Sequence, residues 1–106
     1  VHGTATGNNY MSEGNAMKRV FSENIPVFSS TKSYTGHCLA AAGSIEAVLS
    51  LLSIKYGALY PNLHFSEPIE DVLTPNQEFS ENNKINIVMS NSFGFGGNCS
   101  TLIFGK

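Results

Sequence analysis

The stretch from Cys38 to Tyr56 limits the possible folds more than any other part of the sequence. Apolar residues recur on every side of it, from Cys38 and Leu39 through Ile45, Val48 and Leu52 to Ile54. A helix that is apolar around its whole circumference is either packed by protein on several sides or spans a membrane. Glu46 lies at its middle. A charge at that depth of a bilayer costs about 2.5–3.5 kcal/mol on the insertion scale. Gly43 and three serines weaken the membrane reading further. The expectation is a buried central helix, stopped by Gly57, with no membrane partner.

Such a helix needs neighbours, and 106 residues make one small domain at most. The charged share is 13%, against a usual share of about 25%. A free-standing domain of this size covers more of its surface with charge. A net charge of −2 supplies no basic footprint for nucleic acid. Val1-His2-Gly3-Thr4 is neither the basic nor the apolar part of a signal peptide. The first residue is not Met, so the chain is expected to begin inside a larger protein.

Around the central helix the pattern is mixed. Residues 12–23 read as a helix with Ser12 as N-cap and an apolar stripe through Ala16, Met17, Val20 and Phe21. Pro26 ends it. Val27 and Phe28 suggest a short strand over residues 26–31. Residues 58–82, rich in proline and acid, read as an irregular excursion. Ile85 to Met89 and Cys99 to Phe104 read as two strands joined by the loop Ser90–Gly97, an antiparallel pair.

Few residues carry chemistry. His2 and His37 each sit in a Gly/Thr turn. Either alone reads first as a solvated or core histidine; as a pair they read equally as that or as two neutral donors for a developing oxyanion. Glu46, on a helix expected to be buried, needs a cation or faces a solvent groove, and Lys32 is the nearby cation in sequence. Ser92-Phe93-Gly94-Phe95-Gly96-Gly97 lacks the dinucleotide spacing and precedes a strand. It reads as a glycine-rich hairpin with two core aromatics, or as a mobile loop in which Phe95 swings. Cys38 and Cys99 form no CxxC, and with His2, His37 and His64 they give no metal-ligand spacing. Cys38 reads as a small buried apolar residue.

Three segments in this order and spacing have a counterpart. They are His2-Gly3-Thr4-Ala5-Thr6, then Ser30-Thr31-Lys32-Ser33-Tyr34-Thr35-Gly36-His37 running into Ala40-Ala41-Ala42-Gly43-Ser44-Ile45-Glu46, then Asn91-Ser92-Phe93-Gly94-Phe95-Gly96-Gly97-Asn98. Across nearly the whole length the chain resembles the C-terminal end of β-ketoacyl-acyl-carrier-protein synthases, the elongating condensing enzymes of the thiolase-like superfamily. The implied fold is α/β, a partial C-terminal half of the thiolase-like fold, with a mixed sheet packed on a buried central helix. Residues 1–106 would be a truncated portion of a ketoacyl-synthase domain, inactive alone because the acyl-carrying cysteine belongs to the N-terminal half of the same synthase.

The resemblance also implies roles. His2 and His37 would assist decarboxylation of malonyl carrier protein and hold the enolate oxygen, Lys32 would orient the site, and Glu46 would pair with it. Thr4 and Thr6 would bind the phosphopantetheine arm. Phe95 would gate the site, with Gly94, Gly96 and Gly97 as its hinge. No cofactor would be bound; the partners would be acyl carrier protein and a second subunit in a cytoplasmic homodimer. A catalytically silent partner of chain-length-factor type, or a polyketide or aryl-polyene ketosynthase, are the alternatives. Gly7 and Tyr10 stand where the family usually has Pro and an acid. Glu13 matches a family acid and is a candidate to replace the missing charge near Lys32.

Overall fold

A computed structural model describes residues 1–4, 6–65 and 73–106. Ala5 of the first motif and residues 66–72 of the proline-rich excursion lie outside the described residues. The order is α1 (Gly7–Phe21), α2 (Lys32–Thr35), a 3-10 turn (Leu39–Ala41), α3 (Ala42–Tyr56), β1 (Ile87–Phe93), a second 3-10 turn (Phe95–Gly97) and β2 (Cys99–Gly105).

β1 and β2 are antiparallel, with Ile87 opposite Gly105 and Phe93 opposite Cys99. The mixed sheet of the expected fold is not what these residues build: among the described residues the sheet has two strands. α3 packs on both strands. Gly43 supplies the close approach, since a Cβ there would lie 3.4 Å from the Ser92 hydroxyl. Gly57 ends α3 as expected, at φ 64 and ψ 30, in the left-handed conformation that favours glycine.

Four expectations are corrected. α1 starts at Gly7, so Ser12 is a helix-interior residue rather than the cap; Thr6 is the N-cap. The Gly-Asn-Asn start is a poor helix former, and tertiary bonds to Glu13 offset it (below). Residues 26–31 form no strand. Their main-chain groups are taken at isolated points by irregular partners: the Phe28 carbonyl by the Asn76 amide at 2.8 Å, the Ser29 carbonyl by the Val1 amine at 3.0 Å, and the Ser30 amide by the Asn62 side chain at 3.1 Å. β1 begins two residues later than Ile85 and runs through Ser90–Phe93, which the sequence suggested was loop.

The fourth correction concerns the central helix. It is not covered on several sides. Ala42, Glu46, Ser53 and Ile54 are buried, whereas Leu39, Val48, Leu51 and Tyr56 are exposed, Leu39 by 76%. Among the described residues one layer packs on α3 and none covers its opposite face. The run Leu39–Tyr56 is long and apolar enough to cross a membrane by length and composition. Its central carboxylate is nevertheless paired with Lys32 from another segment, which makes it a helix that packs on protein.

Candidate active site

Residues 1–4 cross between α1, the segment before α2, and the end of β1. Glu13, buried on α1, fixes them: its carboxylate accepts the His2 amide at 3.0 Å and the Gly3 amide at 3.3 Å. The Asn91 side-chain amide donates to the same carboxylate at 3.3 Å, and Thr101 Oγ1 donates to Asn91 Oδ1 at 2.9 Å. A hydrogen-bonded chain therefore ties β2 and β1 to α1 and to the histidine. Glu13, the candidate for the missing family charge, makes its hydrogen bonds to the His2 and Gly3 main chain and to Asn91.

His2 is 7% exposed and packs on Phe93, ring centroids 5.3 Å apart. The Phe93 amide donates to His2 Nδ1 at 3.3 Å. His37 comes from the loop after α2, and its ring lies edge-on to His2 at 5.8 Å between centroids and 86° between planes. The Leu39 amide donates to His37 Nδ1 at 3.1 Å. Leu39 holds φ 49 to do so, a conformation unfavourable for a residue with a β-carbon. Both rings thus have Nδ1 occupied as an acceptor, which assigns the proton of each neutral imidazole to Nε2. Burial first, and the Lys32 ammonium second, push the His2 pKa below the usual histidine range. The lowered pKa favours the neutral imidazole, which still donates from Nε2 toward an oxyanion.

Lys32 Nζ and Glu46 Oε1 form a salt bridge between α2 and α3, with side chains 6% and 10% exposed. The pairing inferred from the lone acid of the apolar helix is present. Beside it opens a cavity of about 530 Å³, lined among others by Thr4, Tyr10, Lys32, His37 and Phe65. Thr4 and Thr6 hydroxyls stand 3.3 Å apart, Thr4 at the cavity and Thr6 exposed beside it.

Phe95 is not gathered with these residues; its side chain is fully exposed, on the turn before β2. Gly96 and Gly97 hold φ 77 and 84, which only glycine adopts without strain, and the Gly94 amide closes the turn on the Asn98 carbonyl at 2.7 Å. Phe93, two residues earlier, is the aromatic against His2. It shares a sheet face with Asn91 in β1, a strand the sequence did not mark over these residues. Cys38 is half-buried rather than a core residue, its thiol directed to the Thr35 carbonyl at 3.4 Å. Among the described residues no group of three or more His, Cys, Asp or Glu side chains is placed to hold a metal ion.

The comparison with known families bears on this arrangement. Residues 1–66 match the family described as "Beta-ketoacyl synthase, C-terminal domain". The chain belongs to that family. The ketoacyl-synthase C-terminal domain has the thiolase-like fold. Among curated relatives, 3-oxoacyl-[acyl-carrier-protein] synthase 1 of Haemophilus influenzae is 45% identical over 98% of this chain. The synthase 1 of Escherichia coli K12 is 40% identical over 99% of the chain, and the synthase 2 of Staphylococcus aureus strain COL is 41% identical over all of it. The chain spans 26% of the length of each of these relatives. The ketoacyl-synthase domain residues that gather here, His2, Lys32, His37 and Glu46, all lie inside the matched span.

Proposed function

We propose that this chain contributes the decarboxylating half of a β-ketoacyl-acyl-carrier-protein synthase site, acting in fatty-acid or related lipid synthesis. The supporting observation is the pair of imidazoles at 5.8 Å, each with Nδ1 taken by a backbone amide and Nε2–H left as donor. The malonyl thioester carbonyl would accept from both. Loss of CO2 breaks the C–C bond and leaves its electron pair as an enolate, whose oxygen carries the charge the two donors stabilise. The enolate carbon then attacks an acyl thioester; a C–C bond forms, the C–S bond breaks and the thiolate leaves. Burial first, and Lys32 fixed by Glu46 second, favour the neutral form of His2, and Lys32 would orient the site.

Thr4 and Thr6 would bind the phosphopantetheine arm of acyl carrier protein along the cavity edge. Phe95, on a turn only glycines can form, would act as the gate. The family resemblance assigns the acyl-carrying thiol to another part of the synthase; here Cys38 bonds a backbone carbonyl and Cys99 is exposed on β2. The 106 residues alone should then form no C–C bond. The synthase as a whole would work as a cytoplasmic homodimer without a bound cofactor.

The test is a mass-spectrometric assay of the synthase that carries this chain, with acyl and malonyl carrier proteins. His2→Ala and His37→Ala should each abolish release of CO2 from malonyl carrier protein while leaving acylation of the thiol. Unchanged decarboxylation in either variant contradicts the reading. An unaltered synthase that neither acylates nor condenses identifies a silent partner instead.

A further inference from the structure

We infer that Ser30 is a positioning residue: its hydroxyl fastens the His2–Gly3 segment to the start of α2 and so sets where the two imidazoles stand relative to one another. The inference rests on the reading of His2 and His37 as an acting pair.

Ser30 is 5% exposed and lies between the His2 segment and the start of α2, the helix that leads into the His37 loop. Its Oγ donates toward the Gly3 carbonyl at 3.3 Å and the His2 carbonyl at 3.5 Å. It also accepts the Lys32 amide at 3.4 Å. That amide is the first of α2 and has no acceptor within the helix. Glu13 takes the amides of His2 and Gly3; Ser30 takes their carbonyls. The segment carrying His2 is therefore held on both sides, and Ser30 is the side that leads to His37.

Sterics agree with the hydrogen bonds. Gly3 holds φ 54, and a Cβ there would lie 2.4 Å from Ser30 Cβ and 2.6 Å from its Oγ. The two segments meet with room for a glycine opposite a small polar side chain and for nothing larger on the glycine. Ser30 is itself anchored, its amide on Asn62 at 3.1 Å and its carbonyl accepting from Ser33 Oγ at 3.2 Å. Ser33 Oγ accepts the Leu63 amide at 3.1 Å and so ties Ser30 and α2 to a further segment, whereas Ser80, whose Oγ accepts from the Asn83 side-chain amide at 3.0 Å, lies outside the clasp and serves as a control.

The test is NMR on the synthase that carries this chain, with isotope-labelled histidine, reading ring placement rather than turnover, so its failure is separate from failure of the synthase assay. Two readouts are followed: the NOE between the His2 and His37 rings, and the His2 titration. Lys32 and His37 lower the His2 pKa, Glu13 and Glu46 raise it, and burial lowers it most. Ser30→Ala should lose the NOE and shift the His2 titration upward, because the ring moves from the ammonium and gains water. Ser30→Thr keeps the hydroxyl and has the neighbouring cavity for its methyl group; it should restore both readouts. Ser80→Ala should change neither. A folded Ser30→Ala chain with both readouts unaltered overturns the inference, as does an equal change in Ser80→Ala. If Ser30→Ala does not fold, amide exchange in the unaltered chain decides: a protected Lys32 amide supports the clasp, and one exchanging like an unstructured amide overturns it.

Discussion

The junction around His2 and the outer face of α3 follow opposite rules. At the junction the buried side chains are polar: His2, Glu13, Ser30, Glu46, Ser90 and Asn91. On the outer face the exposed side chains are apolar: Leu39, Val48, Leu51 and Tyr56, joined on the sheet by Ile87 and Ile103, both 70% exposed. The sheet face with Met89 and Ile103 borders a groove of about 800 Å³. A free-standing domain reverses this distribution. The contrast teaches that the hydrogen-bonded junction, not an apolar core, fixes the geometry of the candidate site, while the apolar surface is left over for other contacts.

The sharpest way to break that contrast is at the buried ion pair. Glu46→Ala leaves the Lys32 ammonium without its partner, and removing one side of such a pair costs about 3–5 kcal/mol. Urea unfolding checks it; a loss below about 1 kcal/mol would mean that the pair behaves as a solvated surface bridge. Glu13→Ala comes next. It orphans the His2 and Gly3 amides and the Asn91 side chain, and a buried unsatisfied donor costs about 1–3 kcal/mol. The same titration should show a loss in that range, and no loss would mean that water reaches the junction.

The pH dependence sharpens the comparison further. The folded His2 pKa is lowered by burial and by Lys32, so below about pH 6.5, the unfolded value, the unfolded chain binds more protons. The stability from the neutral imidazole is full above that pH and is lost as pH falls toward the folded pKa. Unfolding midpoints should drop on acidification in the unaltered chain, and His2→Gln should remove that part of the drop. The smallest effect on folding belongs to the other region. Val48→Lys with Leu51→Lys should change stability by no more than about 0.5 kcal/mol. The same variant should reduce self-association of the chain in light scattering; a large loss of stability would show that this face is packed after all.

How much of this was legible depended on which force set each feature. Glu46 stood out because one acid in an apolar helix demands a cation, and Lys32 was the near one. The antiparallel pair was legible from its glycine loop. The extension of β1 through Ser90–Phe93 was hidden, because Ser-Asn-Ser carries no apolar alternation; it pairs with Cys99–Leu102 of β2, and Asn91 bonds distant Glu13 and cross-strand Thr101. The α1 start at Gly7 was hidden for a related reason: Gly-Asn-Asn has poor helix propensity, and contacts distant in sequence hold it. The periodicity of residues 38–56 stated what the helix is suited to bury, not whether this chain supplies a cover. Two histidines in Gly/Thr turns marked the site, whereas Phe93, hidden beside the more conspicuous Phe95, did not.

The central claim is that His2 and His37 present Nε2–H donors side by side. Long-range nitrogen–proton correlation spectra of the two imidazoles, recorded above the titration range of His2, test it most directly. The account predicts the Nε2–H tautomer at both rings together with an NOE between them. A proton on Nδ1 of either ring, or two rings without mutual contact in the folded chain, would contradict it.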